Sequence, residues 1–444
     1  MVRLFGTDGV RGVANQDLSP ELVFKLGKAG AHILSSEIGG GQVVIGRDTR
    51  ASGAMLECAL AAGICSAGLD VLQAGVLPTP AVAYLTREFK ATAGVVISAS
   101  HNPVEDNGIK FFASNGHKLP DEVEDKIEAM IKNGLAEIPV PIGVGVGKVQ
   151  TVAHARELYV QFAKQSTMAD LTGMKIIVDC ANGAACSVAP RIFSDLGAQV
   201  EAIFAGPNGA NINDNCGSTH PEKLCERVRA TGADMGFAFD GDADRLIAVD
   251  EKGNIVDGDK IIYICASWLK NLGKLKGNKV VVTVMSNMGL HRALEKEGIE
   301  VAETQVGDRY VMEEMLRSGA VFGGEQSGHI IFLNNNTTGD GIISALQLLN
   351  AVKSSGKTLG ELASSMSCYP QLLKNVKVHD KERVMTAPAL LQSVNYWEQR
   401  LNGEGRILVR PSGTEPLVRV MVECRDPGML ELTTNKLVEV VGNI

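Results

Sequence analysis

One succession of elements recurs three times along the chain, and few folds can accommodate it. A β-branched strand ending in a turn comes first (42–48, 174–180 and 278–284). A helical pattern follows (55–67, 188–196 and 290–297), and then a glycine leads into a second short strand (68–72, 197–201 and 298–302). A third strand closes each unit (93–97, 234–239 and 320–323). Alternating strands and helices with β-branched strands predict parallel sheets covered by helices, so the repeat implies three related α/β domains. Residues 367–444 break the pattern. Strands are expected at 372–378, 406–410 and 417–423 and helices at 389–401 and 429–441, a smaller α+β unit containing an antiparallel pair. The expected domain limits are 1–152, 153–253, 254–366 and 367–444, in keeping with a length of 444 residues.

The loops after the third strands carry the chemistry, because open α/β sheets bind ligands at the carboxyl ends of their strands. After the first comes SASHNP at 98–103, after the second DGDADR at 240–245, and after the third EQSGH at 325–329. If the three domains surround one cleft, all three loops face it. Val95, Val96 and Ile97 read as a buried strand delivering Ser100, a candidate nucleophile. The same six residues also suit a polar turn whose serine caps a following helix.

Asp240, Asp242 and Asp244 alternate in the second loop, and such oxygen donors suit a hard divalent cation such as Mg²⁺ or Ca²⁺. Two observations count against an EF-hand: its sixth position requires glycine and Arg245 stands there, and the flanks read as strands; a solvated acidic turn is the other alternative. Arg245 adds a cation directed at phosphate. In the third loop Glu325, Gln326 and Ser327 can hydrogen-bond sugar hydroxyls, with His329 available for proton transfer near neutral pH. A strand-end loop with a satisfied histidine explains these residues equally well. RPSGTEP at 410–416, with Arg419 beyond it, offers hydroxyls, a glycine and two flanking arginines, a phosphate nest or an ordinary hairpin turn. Near the N-terminus, FGTDGVRG at 5–12 places Arg11 in a glycine-rich loop. Lys110, ten residues after Ser100, either snorkels from a strand or points its ammonium into the same cleft.

Composition excludes several classes. A net charge of −8 gives no basic field to gather the phosphates of a nucleic acid, so cations for an anionic ligand must be concentrated locally. No apolar run approaches the length needed to cross a bilayer, and the N-terminus shows no secretory pattern; a cytoplasmic protein is expected. The nine cysteines show no CxxC spacing and read as mostly buried, reduced thiols.

The four loops together, 98–103, 240–245, 324–329 and 410–416, resemble the signature loops of the α-D-phosphohexomutases, in that family's order. FGTDGVRG at 5–12, NCGSTH at 215–220, VGDRY at 306–310 and Gln326 are similar to the amino-sugar branch. Bacterial members of that branch interconvert glucosamine 6-phosphate and glucosamine 1-phosphate on the route to UDP-N-acetylglucosamine and the cell wall. The resemblance implies three α/β domains and a C-terminal domain of the TATA-box-binding-protein-like fold around a central cleft. It implies that Ser100 carries the phosphoryl group, and that Asp240, Asp242 and Asp244, with a phosphoserine oxygen of Ser100, hold one Mg²⁺. Glu325 and Ser327 match the sugar contacts, and Arg410, Ser412, Gly413, Thr414 and Arg419 match the loop that holds the non-reacting phosphate. Arg11 and Lys110 match cations near the phosphoserine. Glucosamine 1,6-bisphosphate is the implied intermediate, and a small phosphosugar is the implied partner. A phosphomannomutase/phosphoglucomutase of the same family and a non-catalytic phosphosugar-binding regulator are the rival readings, and a homodimer is plausible.

Overall fold

The computed structural model describes residues 3–35, 41–412 and 416–444. Two compact units emerge: Met1–Met285 with Ile299–Ser364, and Ser286–Gly298 with Ser365–Ile444. The first unit holds the threefold repeat as three sheets. Strands β1 (Val10–Val13), β2 (Gln42–Arg47), β3 (Asp70–Val76), β4 (Ala93–Ile97), β5 (Asp106–Ala113) and β6 (Val149–Thr151) form a sheet of order β1-β5-β4-β2-β3-β6. Strands β7 (Lys175–Asp179), β8 (Gln199–Ile203), β9 (Met235–Phe239), β10 (Leu246–Val249) and β11 (Ile255–Val256) make a second, of order β11-β10-β9-β7-β8. Strands β12 (Lys279–Thr283), β13 (Glu300–Thr304), β14 (Phe322–Gly324) and β15 (Ile330–Phe332) are ordered β13-β12-β14-β15.

In each sheet the first strand of the repeat lies between the second and third, parallel to both. The crossovers are helical, as a parallel connection requires. Every residue of β4 and of β9 is buried. Helices cover both faces of such strands, and so they read as unbroken apolar runs rather than alternating ones.

After each third strand the chain returns antiparallel, as β5, β10 and β15, so the sheets are mixed rather than purely parallel. The loop carrying Ser100 therefore joins two strands. The alternative of a serine capping a following helix does not hold.

The second unit contains β16 (Gln371–Lys377), β17 (Gly405–Pro411) and β18 (Leu417–Cys424), antiparallel throughout in the order β16-β18-β17. The three strands fall where the sequence places them, with 372–378 also paired antiparallel. Val418, Val420 and Val422 alternate along β18 onto the buried face and share a core with Trp397, Leu401 and Leu437. The helix Met288–Lys296, which belongs to the third repeat by sequence, falls in this unit. Buried Glu423 of β18 explains the attachment. Its carboxylate accepts the Met288 N–H at 3.0 Å, Asn287 Nδ2 at 3.1 Å and Arg406 Nε at 2.6 Å. A helix N-terminus favours that negative charge.

No helix among the described residues is long and apolar enough to cross a membrane. All nine cysteines are free thiols; Cys58 and Cys368 are exposed and the others buried or half-buried.

Candidate active site

Strand β4 ends in a conformation that ordinary residues avoid. Ser100 has φ +54°, in the left-handed region, which costs about 1–3 kcal/mol and persists only where the surroundings enforce it. Two neighbours do so. Arg50, fully buried and ion-paired with Asp48, directs Nη2 to the carbonyl of Asn102 at 2.5 Å and to that of Ser100 at 3.4 Å. Asn213 Nδ2 reaches the same two carbonyls at 3.1 and 2.9 Å. Beneath them the Ser98 hydroxyl donates to Asp48 at 2.7 Å and accepts the Ser100 N–H at 2.9 Å. The Ser100 Oγ is thereby aimed at Asp240 Oδ2, 2.5 Å away.

Asp240 opens the loop between β9 and β10. Its backbone is held by all three repeats: the Thr79 N–H donates to the Asp242 carbonyl at 2.9 Å, Ala184 N to Gly241 O at 2.8 Å, and Gly341 N to Ala243 O at 3.0 Å. Gly241 is required by proximity, since a Cβ there would lie 2.6 Å from the Ser100 carbonyl oxygen. The strands on either side, β9 and β10, bear out the case against an EF-hand.

Asp240, Asp242 and Asp244 are buried, with one carboxylate oxygen from each lying within 4.8 Å of the others. Burial and the charges of Asp244 and Asp242 hold the Asp240 carboxyl well above the usual carboxylate range. The Oδ1 atoms of Asp242 and Asp244 are buried without a hydrogen-bond partner among the described residues. Three convergent oxygen donors, two with unspent lone pairs, fit a hard divalent cation. The buried triad can hold a metal.

Cations surround the triad. Lys110 is 1% exposed and places Nζ 2.8 Å from Asp242, 3.0 Å from Asp8 and 3.7 Å from Asp244. Burial opposes its charge, but Asp242, Asp8 and Asp244 outweigh it and raise its pKa. Of the two positions open to Lys110 in the sequence, it takes the one pointed into the site. Arg11 pairs with Asp8, and there too burial is outweighed by Asp8, Asp242 and Asp244. The Arg245 N–H donates to Asp240 Oδ1 at 3.2 Å, and its Nε lies 3.9 Å from Asp244. His101, lowered to about 4 by burial and by Arg245 and Arg11, is neutral.

Above this floor opens a cavity of about 630 Å³, lined by Arg11, His101, Arg245, Glu325, Ser327 and His329 among others. The third loop reaches it by pairing with the second: Arg245 bridges His329, and Leu246 N donates to Gly328 O at 2.9 Å. Glu325 accepts the Gly307 N–H at 3.0 Å, and burial raises its pKa. His329 differs from expectation. Its ring nitrogens lie 3.7 Å from Asp244 and 3.3 Å from Asp308, and these carboxylates outweigh burial and push it up to about 9. The two carboxylates thus favour its protonated form.

The fourth loop belongs to the second unit. Arg410 and Arg419 are direct partners across β17 and β18, and the Ser412 carbonyl accepts from Lys381 Nζ at 2.7 Å. Gly413 and Thr414 lie outside the described residues. Sequence reasoning missed Asp48, Arg50, Asn213, Asp8, Lys118 and Asp308. A signal existed for Asp48 and Arg50 in the charged run RDTR at 47–50, at the carboxyl end of the first apolar strand, and for Asp8 and Asp308 in the stretches FGTDGVRG and VGDRY.

Models of the phosphoglucomutase/phosphomannomutase family match the chain along most of its length: α/β/α domain I at 2–137, domain II at 156–253, domain III at 257–369 and the C-terminal domain at 373–439. The chain belongs to this family. Among its relatives is a phosphoglucosamine mutase of Desulforamulus reducens, 61% identical over 444 residues and covering 100% of both chains. A phosphoglucomutase/phosphomannomutase family protein of Burkholderia thailandensis shares the fold with a TM-score of 0.82 at 23% identity, over 100% of this chain and 98% of the other. The N-acetylphosphoglucosamine mutase of Aspergillus fumigatus, solved in complex with GlcNAc-6P and magnesium, aligns with a TM-score of 0.70 at 19% identity, over 100% and 96% of the two chains.

Proposed function

We propose that this phosphohexomutase interconverts glucosamine 6-phosphate and glucosamine 1-phosphate through a phosphorylated Ser100. The observation that carries the reading is the Ser100 hydroxyl, 2.5 Å from Asp240 at a junction built by all three repeats. The phosphoglucosamine mutase relative, 61% identical over the full chain, supports the choice of amino sugar.

In the proposed reaction a free hydroxyl of the sugar phosphate attacks the phosphoryl group on Ser100. The Oγ–P bond breaks as the new O–P bond forms, and in net balance the hydroxyl proton passes to Oγ. The product is glucosamine 1,6-bisphosphate, which turns over and returns its other phosphate to Ser100. Lys110, Arg11 and Arg245 offset the charge of the transferring group, whose catalysis is mostly positioning and electrostatics. One divalent cation per chain, Mg²⁺, held by Asp240, Asp242, Asp244 and a phosphoserine oxygen, would polarise the phosphoryl oxygens. Glu325 and Ser327 bind sugar hydroxyls, and His329 serves as a fixed cation and acid. In the second unit, Arg410, Ser412 and Arg419 bind a phosphate.

The test is a coupled assay for glucosamine 1-phosphate from glucosamine 6-phosphate, with and without Mg²⁺ and against mannose and glucose 6-phosphates. Preferred turnover of the amino sugar is expected; a strong preference for a neutral hexose overturns the substrate assignment.

A further inference from the structure

Along one wall of the cavity, alternating charges close into a ring of six side chains. Asp8 meets Lys110 at 3.0 Å and Lys118 at 2.5 Å. Lys118 meets Asp308, which meets His329 at 3.3 Å; His329 meets Asp244 at 3.7 Å, and Asp244 returns to Lys110 at 3.7 Å. The first repeat supplies Asp8, Lys110 and Lys118, the second Asp244, and the third Asp308 and His329.

Two members of this ring raise a difficulty. Asp8 and Asp308 both line the cavity, and a phosphosugar is an anion. A bare carboxylate in a wall of low dielectric would repel it. Lys118 reaches both from the far side. It is absent from that wall and lines a second cavity of about 370 Å³ between residues 113–120 and 308–316. Burial opposes its charge, but Asp308 and Asp8 outweigh it and push its pKa up to about 12, so it stays an ammonium. Asp308 in turn faces His329. A Cβ on Gly339 would lie 2.2 Å from Nε2, so backbone closes one side of the ring, and Asp308 lies 3.3 Å from the same nitrogen without hydrogen-bonding geometry.

The geometry points to Lys118 as a positioning residue for the anionic substrate: from behind the cavity wall it offsets the charge of Asp308 and, together with Lys110 and Arg11, that of Asp8. The inference rests on the mutase reading for the nature of the ligand, but not for its measurement. Binding of glucosamine 6-phosphate by calorimetry tests the inference, whereas wild-type turnover tests the reading.

Lys118→Met is expected to weaken that binding at least tenfold, and Lys118→Arg to keep it within threefold of wild type. Removing the exposed negative charge as well, in Lys118→Met/Asp308→Asn, is expected to recover most of the lost affinity, which a merely structural defect would not allow. Asp308→Asn alone separates binding from turnover: affinity held or tightened, kcat down about tenfold as His329 loses the charge beside it. Binding by Lys118→Met within twofold of wild type overturns the proposal. So does a double variant no better than Lys118→Met. If Lys118→Met does not fold, a tenfold loss of affinity in Asp308→Asn overturns it instead, because Asp308 would then be contacting the sugar directly.

Discussion

The two units handle charge in opposite ways. Around Ser100 nearly every charged side chain is buried against an opposite one: Arg50 with Asp48, Lys110 with Asp242 and Asp8, and Lys118 with Asp8 and Asp308. On β17 and β18 two like charges, Arg410 and Arg419, stand directly opposite one another. Burial and then Arg419 hold the Arg410 guanidinium below its ordinary range. Interlocked opposite charges define a rigid geometry, and losing one partner strands the other. Like charges across a strand pair cost stability and are relieved by a bound anion. The first arrangement fixes a geometry; the second concentrates positive charge.

The largest expected effect tests the fixed geometry itself. Ser100→Ala should reduce mutase turnover to background while leaving glucosamine 6-phosphate binding within a few-fold of wild type; turnover like wild type would remove Ser100 from its role. Chelation of divalent cations should stop turnover equally, with recovery on adding Mg²⁺. The next effect tests the interlocking. Arg50→Met leaves Asp48 as a buried unpaired carboxylate and should cost about 3–5 kcal/mol. Denaturant midpoints measure this, and a loss under about 1 kcal/mol, the scale of an exposed pair, would show that the pair does not hold the Ser100 loop.

Glu423 is the second unit's exception, a buried carboxylate joining β18 to the helix Met288–Lys296. Glu423→Gln keeps the shape and loses the charge, so a destabilisation of about 1–3 kcal/mol is expected. Hydrogen exchange in 288–296 should rise first. Smallest is the stability change for Arg410→Gln: a gain of up to about 1 kcal/mol as the like-charge pair is relieved. The same variant should raise KM for the phosphosugar about tenfold, the scale of one lost charge-assisted hydrogen bond. Lower stability with unchanged KM would refute the contrast between the units.

Much of this arrangement was legible in the chain. The three repeats were visible because fully buried strands such as Val95–Val96–Ile97 and Val280–Val281–Val282 admit only apolar residues. The loops at their ends stood out as polar runs against them. The antiparallel return after each loop was less visible: β5, β10 and β15 are buried strands too, and local pattern does not encode strand direction. Asp308 stood within VGDRY, but nothing local tied it to Lys118: the two lie 190 residues apart and meet only in the folded chain.

Local sequence thus determined the type of each element and the chemical capacity of each loop, since burial pattern and donor spacing are properties of short segments. Which charges face one another is a matter of long-range packing. Tertiary structure alone brought Ser100 onto Asp240, set His329 between two carboxylates, and placed an ammonium behind Asp8 and Asp308. A side chain's charge and aim depend on the few neighbours within about 4 Å, and here those neighbours come from three separate parts of the chain.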